Sequence, residues 1–298
     1  MADVVFRGVG TALITPWKSD GSLDEEAFAR FVDWQISEGA NFLVPCGTTG
    51  ENQAMTSGEH RRVVEITVKT ANGRVPVLAG AGSNSTEKAI ELALMCIDIG
   101  ADGVLTITPY YNKPTPDGLR RHFGEQANAI EKKRRGFPMI MYNVPGRTGV
   151  NMTAETTLRI AREVPNVVGV KEASGSMEQI LTILRDRPKD FAVLSGDDAW
   201  TLPLMACGAE GIISVASNEV PRLMRQMVDE RSVAIMNRLL PLLIGNFIES
   251  NPIPAKAAMK MMGILESDTV RSPLAPLAEA NRKKLRAILE ECGLEVRN

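Results

Sequence analysis

The sequence predicts an α/β fold, a (β/α)8 TIM barrel followed by a C-terminal helical extension. Three observations carry this prediction. Eight short, nearly all-apolar runs rich in Val and Ile alternate with amphipathic stretches, the pattern of parallel strands covered on both faces. A local plan recurs at Glu38-Gly39-Ala40-Asn41-Phe42, Ile99-Gly100-Ala101-Asp102-Gly103 and Cys207-Gly208-Ala209-Glu210-Gly211. In each, a helix ends at a glycine able to take the left-handed conformation and a buried strand follows closely. The strand–helix units also fill about 220 residues, the size of such a barrel. A doubly wound sheet is the alternative, but the first turn has no G-x-G-x-x-G fingerprint.

Taken in order, the first strand is expected over residues 9–14 and the first helix over 23–38, which stops at Gly39. The second strand, 42–45, runs into Pro45, and a helix over 57–72 follows with only a weak cap in Ser57-x-x-His60. The third strand covers 75–79 and leads to a helix over 86–99. The fourth covers 103–108. The run Glu131-Lys132-Lys133-Arg134-Arg135 is read as a solvated helix end before the fifth strand, 138–143. Thr153 with Glu155 opens a helix over 153–163, and the sixth strand is 167–171. Ser176-x-x-Gln179 reads as a capping box before the seventh strand, 191–195; the eighth is 211–215. From Glu219 onward only helical patterns appear, including the Met-rich turn at Met259 to Met262. This assigns residues 1–225 to the barrel that carries the site and 226–298 to the helical region.

Composition narrows the chemistry. The 298 residues carry 34 Lys+Arg against 36 Asp+Glu, a formal net charge of −2, so no basic excess points to nucleic acid or an anionic membrane. A 44% hydrophobic content and a mean hydropathy of −0.06 describe a globular chain, and no apolar run has the length of a membrane span. The N-terminal Met1 to Gly8 lacks the pattern of a signal peptide, so a cytoplasmic protein is expected. Cys46, Cys96, Cys207 and Cys292 form no C-x-x-C pair and are expected to be reduced core thiols. The two histidines, His60 and His122, lack metal-ligand spacing. Lysine, tyrosine, threonine and carboxylate chemistry is therefore favoured over metal hydrolysis or His-based triads.

Barrel chemistry sits at the C-terminal ends of strands, and polar groups gather there. Lys171 ends an otherwise apolar strand. It is either a strand end at the surface or a desolvated amine with a lowered pKa, able to form a Schiff base with a ketone. Glu172 points to the opposite face. Tyr142 ends the neighbouring strand, as a core tyrosine or a proton shuttle. Arg147, in a Pro-Gly turn five residues on, is an ordinary exposed arginine or a bidentate holder of a carboxylate. The Gly47-Thr48-Thr49-Gly50 turn has the glycines of an anion-binding nest, although G-T-T-G alone is a weak pattern.

Together these segments resemble the dihydrodipicolinate synthase (4-hydroxy-tetrahydrodipicolinate synthase) family of pyruvate-dependent class I aldolases. The resemblance rests on Gly47-Thr48-Thr49-Gly50-Glu51, Tyr110-Tyr111-Asn112-Lys113-Pro114, Tyr142 to Gly149 and Val170-Lys171-Glu172-Ala173. Ser195-Gly196-Asp197-Asp198, Gly211 to Val215 and Asn251-Pro252-Ile253-Pro254-Ala255-Lys256 extend it over nearly the whole chain.

It implies that Lys171 forms the Schiff base with pyruvate, and that Tyr142, Thr48 and Tyr111 relay protons, Tyr111 being donated across a dimer interface. Thr49 would hold the pyruvate carboxylate, and Arg147 the carboxylate of aspartate 4-semialdehyde. Gly196 and Ile213 would line the pyruvate pocket through their backbones. No metal or organic cofactor is implied, and a homotetramer, a dimer of dimers, is. Arg147 and the Thr48-Thr49 pair favour the synthase over N-acetylneuraminate lyase and sugar-acid aldolases, whereas hydroxyproline-pathway and other 2-oxo-acid lyases or deaminases look similar over the same motifs. A catalytically silent binding barrel is the remaining alternative. One departure stands at Lys88, where lysine-inhibited members carry a glutamate. A cation there repels an amine, so initial rates in excess lysine are expected to fall little or not at all.

Overall fold

Each of the eight apolar runs forms a strand in the computed structural model, which describes residues 6–297. The strands are β1 (Gly8–Ala12), β2 (Phe42–Val44), β3 (Leu78–Gly80), β4 (Gly103–Ile107), β5 (Met139–Asn143), β6 (Val167–Glu172), β7 (Ala192–Ser195) and β8 (Gly211–Ser214). The helices among the described residues are α1 (Glu25–Ser37), α2 (Ser57–Ala71), α3 (Thr86–Ile99), α4 (Pro116–Lys133), α5 (Pro145–Thr148), α6 (Ala154–Glu163), α7 (Met177–Asp186) and α8 (Thr201–Ala206). After β8 come α9 (Pro221–Asp229), α10 (Val233–Gly245), α11 (Ile253–Met261) and α12 (Glu279–Glu291). Strands and helices alternate through β8, the element order of a (β/α)8 barrel, and the C-terminal helices follow as predicted. The N-terminal segment read for a signal peptide lies mostly outside the described residues. Among them, no helix is long and apolar enough to cross a membrane.

The chain divides into two compact units. One holds residues 6–7 and Pro76–Ile213. In it β3, β4, β5, β6, β7 and β8 lie side by side in chain order and pair in parallel, with their apolar side chains buried except for the half-buried Ile107 and Val168. Register sets Tyr142 opposite Lys171 and Asn143 opposite Glu172. The other unit holds Gly8–Val75 and the chain from Ser214 onward. There β1 and β2 pair in parallel, and Asn218 ties the chain after β8 to β1, donating to the carbonyl of Ala12 at 2.8 Å and accepting from the N–H of Ile14 at 2.9 Å.

The glycines of the recurring plan take the expected left-handed backbone, with φ +100 at Gly39, +99 at Gly100 and +106 at Gly208. Several boundaries differ from expectation, each for a local reason. α2 is capped by Thr56, whose hydroxyl accepts from the N–H of Glu59 while the Glu59 carboxylate accepts from the N–H of Thr56; the Ser57–His60 cap is not used. β3 begins at Leu78, because Pro76 has no N–H and the N–H of Val77 goes to the side chain of Asp102. Gln179 does not return to Ser176 as a full capping box; its amide reaches Asn151, Met152 and Glu172 instead. Cys46, Cys96 and Cys292 are buried free thiols, but Cys207, at the end of α8 beside the turn at Gly208, is exposed.

Candidate active site

Lys171 emerges from β6 with its side chain buried at 6% exposure and its amine 4.3 Å from the centre of the Tyr142 ring. β5 and β6 deliver the two residues side by side because register pairs them and alternation turns both to the same face. Burial draws the Lys171 amine from 10.5 down to about 7; the charge of buried Asp198 opposes the fall, and that of Arg147 adds to it. A surface strand end is thereby replaced by a desolvated amine with a large neutral fraction at neutral pH. Asp198 is a residue that sequence reasoning did not single out, although Ser195-Gly196-Asp197-Asp198 stands at the end of β7, where barrel chemistry is sought.

Gly196 admits no side chain. A Cβ there would stand 2.6 Å from the Ala173 Cβ and 3.2 Å from the Cε of Lys171. Its N–H donates to the carbonyl of Glu172 at 2.8 Å, fixing the backbone beside the lysine stem. Ile213 is buried on β8. Arg147 sits in the single helical turn of α5 and is exposed. Tyr111 is 88% exposed with φ +72, and its N–H donates to the carbonyl of Thr148 at 3.1 Å, lacing the β4–α4 loop to α5.

On the opposite face of β6, Glu172 is buried, as alternation requires. Its carboxylate accepts from the Asn143 amide at 3.2 Å, from the N–H of Ser174 at 2.7 Å and from the Gln179 amide at 3.3 Å. Burial pushes its carboxyl pKa up, and these hydrogen bonds resist the rise.

In the other unit, β2 runs into the Gly47–Glu51 turn. The N–H of Gly50 donates to the Gly47 carbonyl at 3.1 Å, and that of Glu51 to the Thr48 carbonyl at 3.0 Å. The left-handed residues are the flanking Cys46 (φ +56) and Glu51 (φ +58), not the two glycines. Gly50 is needed for close approach, since a Cβ would lie 3.0 Å from the Leu13 carbonyl oxygen. Thr48 is half-buried, and Thr49 is buried with its hydroxyl accepting from the Asn251 amide at 2.9 Å. Glu51 forms a wholly buried ion pair with Lys256 at 2.5 Å. Burial lowers the Lys256 amine to about 8, and Glu51 opposes that fall. Glu51, Asn251 and Lys256 lie in the sequence motifs, where no role is implied for them. A glutamate ending a glycine turn and a lysine inside an apolar helix are the signals that pair them. Among the described residues, no three of His, Cys, Asp and Glu cluster as metal ligands would.

The model of the dihydrodipicolinate synthetase family matches residues 5–292. The 4-hydroxy-tetrahydrodipicolinate synthase of Oleidesulfovibrio alaskensis is 50% identical over 296 residues, covering 97% of this chain and 99% of its own. The crystal structure of dihydrodipicolinate synthase from Aquifex aeolicus superposes with a TM-score of 0.93 at 40% identity, over 98% of this chain and all of that one. A chloride-inhibited dihydrodipicolinate synthase from Acinetobacter baumannii, solved in complex with pyruvate, is similar at TM-score 0.92 and 40% identity, over 97% of this chain and 99% of its own.

Proposed function

The chain belongs to the dihydrodipicolinate synthetase family, and from that premise we propose how its residues perform the family's reaction. The enzyme is a lyase that condenses pyruvate with aspartate 4-semialdehyde to 4-hydroxy-tetrahydrodipicolinate, in diaminopimelate and lysine biosynthesis. The observation that carries the mechanism is the buried Lys171 amine, drawn to about 7 and set against Tyr142.

The neutral amine of Lys171 adds to the ketone carbon of pyruvate, and loss of water leaves an imine. Removal of a methyl proton converts the imine to an enamine, which attacks the aldehyde carbon of aspartate 4-semialdehyde. The amino group of the second substrate then closes on the imine carbon and frees Lys171. Tyr142, Thr48 and Tyr111 carry the protons that these steps take and give. Thr49 holds the pyruvate carboxylate, Arg147 holds the carboxylate of the semialdehyde, and Gly196 and Ile213 line the pyruvate pocket. These steps use no metal or organic cofactor. Residues 1–225 carry the chemistry and 226–298 form the helical region. The working form is a cytoplasmic homotetramer built as a dimer of dimers, with Tyr111 serving its neighbour's site.

The test is the condensation rate, coupled to a reductase and run beside Lys171→Ala, with borohydride trapping of pyruvate in parallel. Activity and trapping that both vanish in the variant are expected. Trapping that persists in Lys171→Ala removes the lysine from its role. Trapping on Lys171 without condensation moves the aldehyde substrate elsewhere in the superfamily.

A further inference from the structure

Three groups from the far end of the chain converge on the Gly47–Glu51 turn, from 202 to 220 residues away in sequence. Glu51 is the hub. It is a buried, non-glycine residue held at φ +58, and both its carboxylate oxygens are occupied. Oε1 accepts from the Trp17 indole at 2.9 Å and from Lys256 Nζ at 2.5 Å; Oε2 accepts from the N–H of Arg271 at 2.9 Å. Lys256 also donates to the Thr269 carbonyl at 2.8 Å, and the Arg271 guanidinium lies 3.7 Å from the centre of the Trp17 ring and pairs with Glu59. A carboxylate and an amine this deeply buried each leave the other uncompensated if one is removed. Separately, the Asn251 amide donates to Thr49 Oγ1 at 2.9 Å. That bond uses a lone pair of the hydroxyl and directs its own proton away from Asn251, leaving it to donate to an anion.

We propose that the C-terminal extension positions the pyruvate-binding turn: the Lys256–Glu51 pair fixes its backbone, and Asn251 aims the Thr49 hydroxyl at the substrate carboxylate. This rests on the function proposed above, in which Thr49 binds that carboxylate. Asn251, Glu51 and Lys256 are positioning residues, which act through Thr49 and touch no substrate. An ordinary core ion pair with a neighbouring amide would stabilise the fold and leave substrate affinity alone.

The full-length protein, as wild type, Asn251→Ala and Asn251→Asp, is compared in the coupled assay and in borohydride trapping at graded pyruvate. Asn251→Ala is expected to raise KM for pyruvate about five- to tenfold, the worth of one buried hydrogen bond, with kcat and KM for aspartate 4-semialdehyde within about twofold. Asn251→Asp should raise it further, because the Thr49 hydroxyl would donate to the new carboxylate and the added charge repels the substrate. Lys256→Met should weaken pyruvate binding in the same way, with Glu51→Gln on that background recovering part of it. Should Lys256→Met not fold, the two Asn251 variants leave the ion pair intact and decide the matter. A wild type that traps no pyruvate removes the functional reading, and this proposal with it. A wild type that traps, beside a folded Asn251→Ala with unchanged KM for pyruvate, overturns the positioning role alone.

Discussion

The Lys171 amine ties stability and, in the proposed mechanism, reactivity to one proton. Lowering its pKa from 10.5 to about 7 amounts to roughly 5 kcal/mol in favour of the neutral form. The folded value lies below the unfolded one, so the unfolded chain binds the extra proton between about 7 and 10.5. Stability contributed by this group therefore rises with pH through that window. Reactivity runs the same way. Below pH 7 the neutral fraction falls about tenfold per unit, so imine formation is expected to climb from pH 5 to 7 and flatten above 8. Asp198→Asn should move the midpoint to lower pH, since its charge holds the lysine pKa up. Rapid-quench trapping followed by intact mass measures both; a rate flat from pH 5 to 8 would contradict the assignment. That Lys171 was worth attention is legible in the sequence, because a lysine closing Val-Val-Gly-Val has no reason to be solvated there. Asp198 was not, because its influence depends on β7 lying beside β6.

At the scale of the element, two strands share one register lock. The Asn143–Glu172 pair on one face and Tyr142–Lys171 on the other are successive rungs of the β5–β6 ladder. A slip of one residue would break the first and turn the second away from its site. Glu172→Gln turns an amide N–H toward donors that now meet a carboxylate, and should destabilise the protein by about 1–3 kcal/mol in urea unfolding. A loss below about 0.5 kcal/mol, the range of an ordinary surface change, would show that the lock does little. Strand alternation makes the direction of Glu172 readable in advance. Its side-chain partners lie 29 and 7 residues away, and only the folded β5–β6–α7 arrangement brings them to it. The α2 cap is the opposite case. Thr56-x-x-Glu59 satisfies the capping-box pattern one residue before Ser57, so it was open to reading, and reciprocal side-chain bonds decide in its favour.

For the whole molecule, apolar periodicity and glycine punctuation suffice for the order of strands and helices, since both are local. Contacts across two hundred residues are not local, and the buried partners of Glu51 are invisible until the chain has folded. Assembly is a further non-local property. Tyr111 is exposed on a left-handed residue, so a protomer that lends it to a neighbour should lose turnover on dilution. Activity per protomer is expected to track the dissociation followed by analytical ultracentrifugation; a fully active monomer would refute the shared site. The Glu51 cluster also bears on how the protein is made. Lys256 is translated 205 residues after Glu51, a gap of roughly 10–40 s at about 5–20 residues per second. Throughout that interval the nascent chain carries a glutamate destined for the interior without the lysine that neutralises it. The turn thus reaches its final shape only when nearly all of the polypeptide has left the ribosome, and chains released early would be made without a finished Gly47–Glu51 turn.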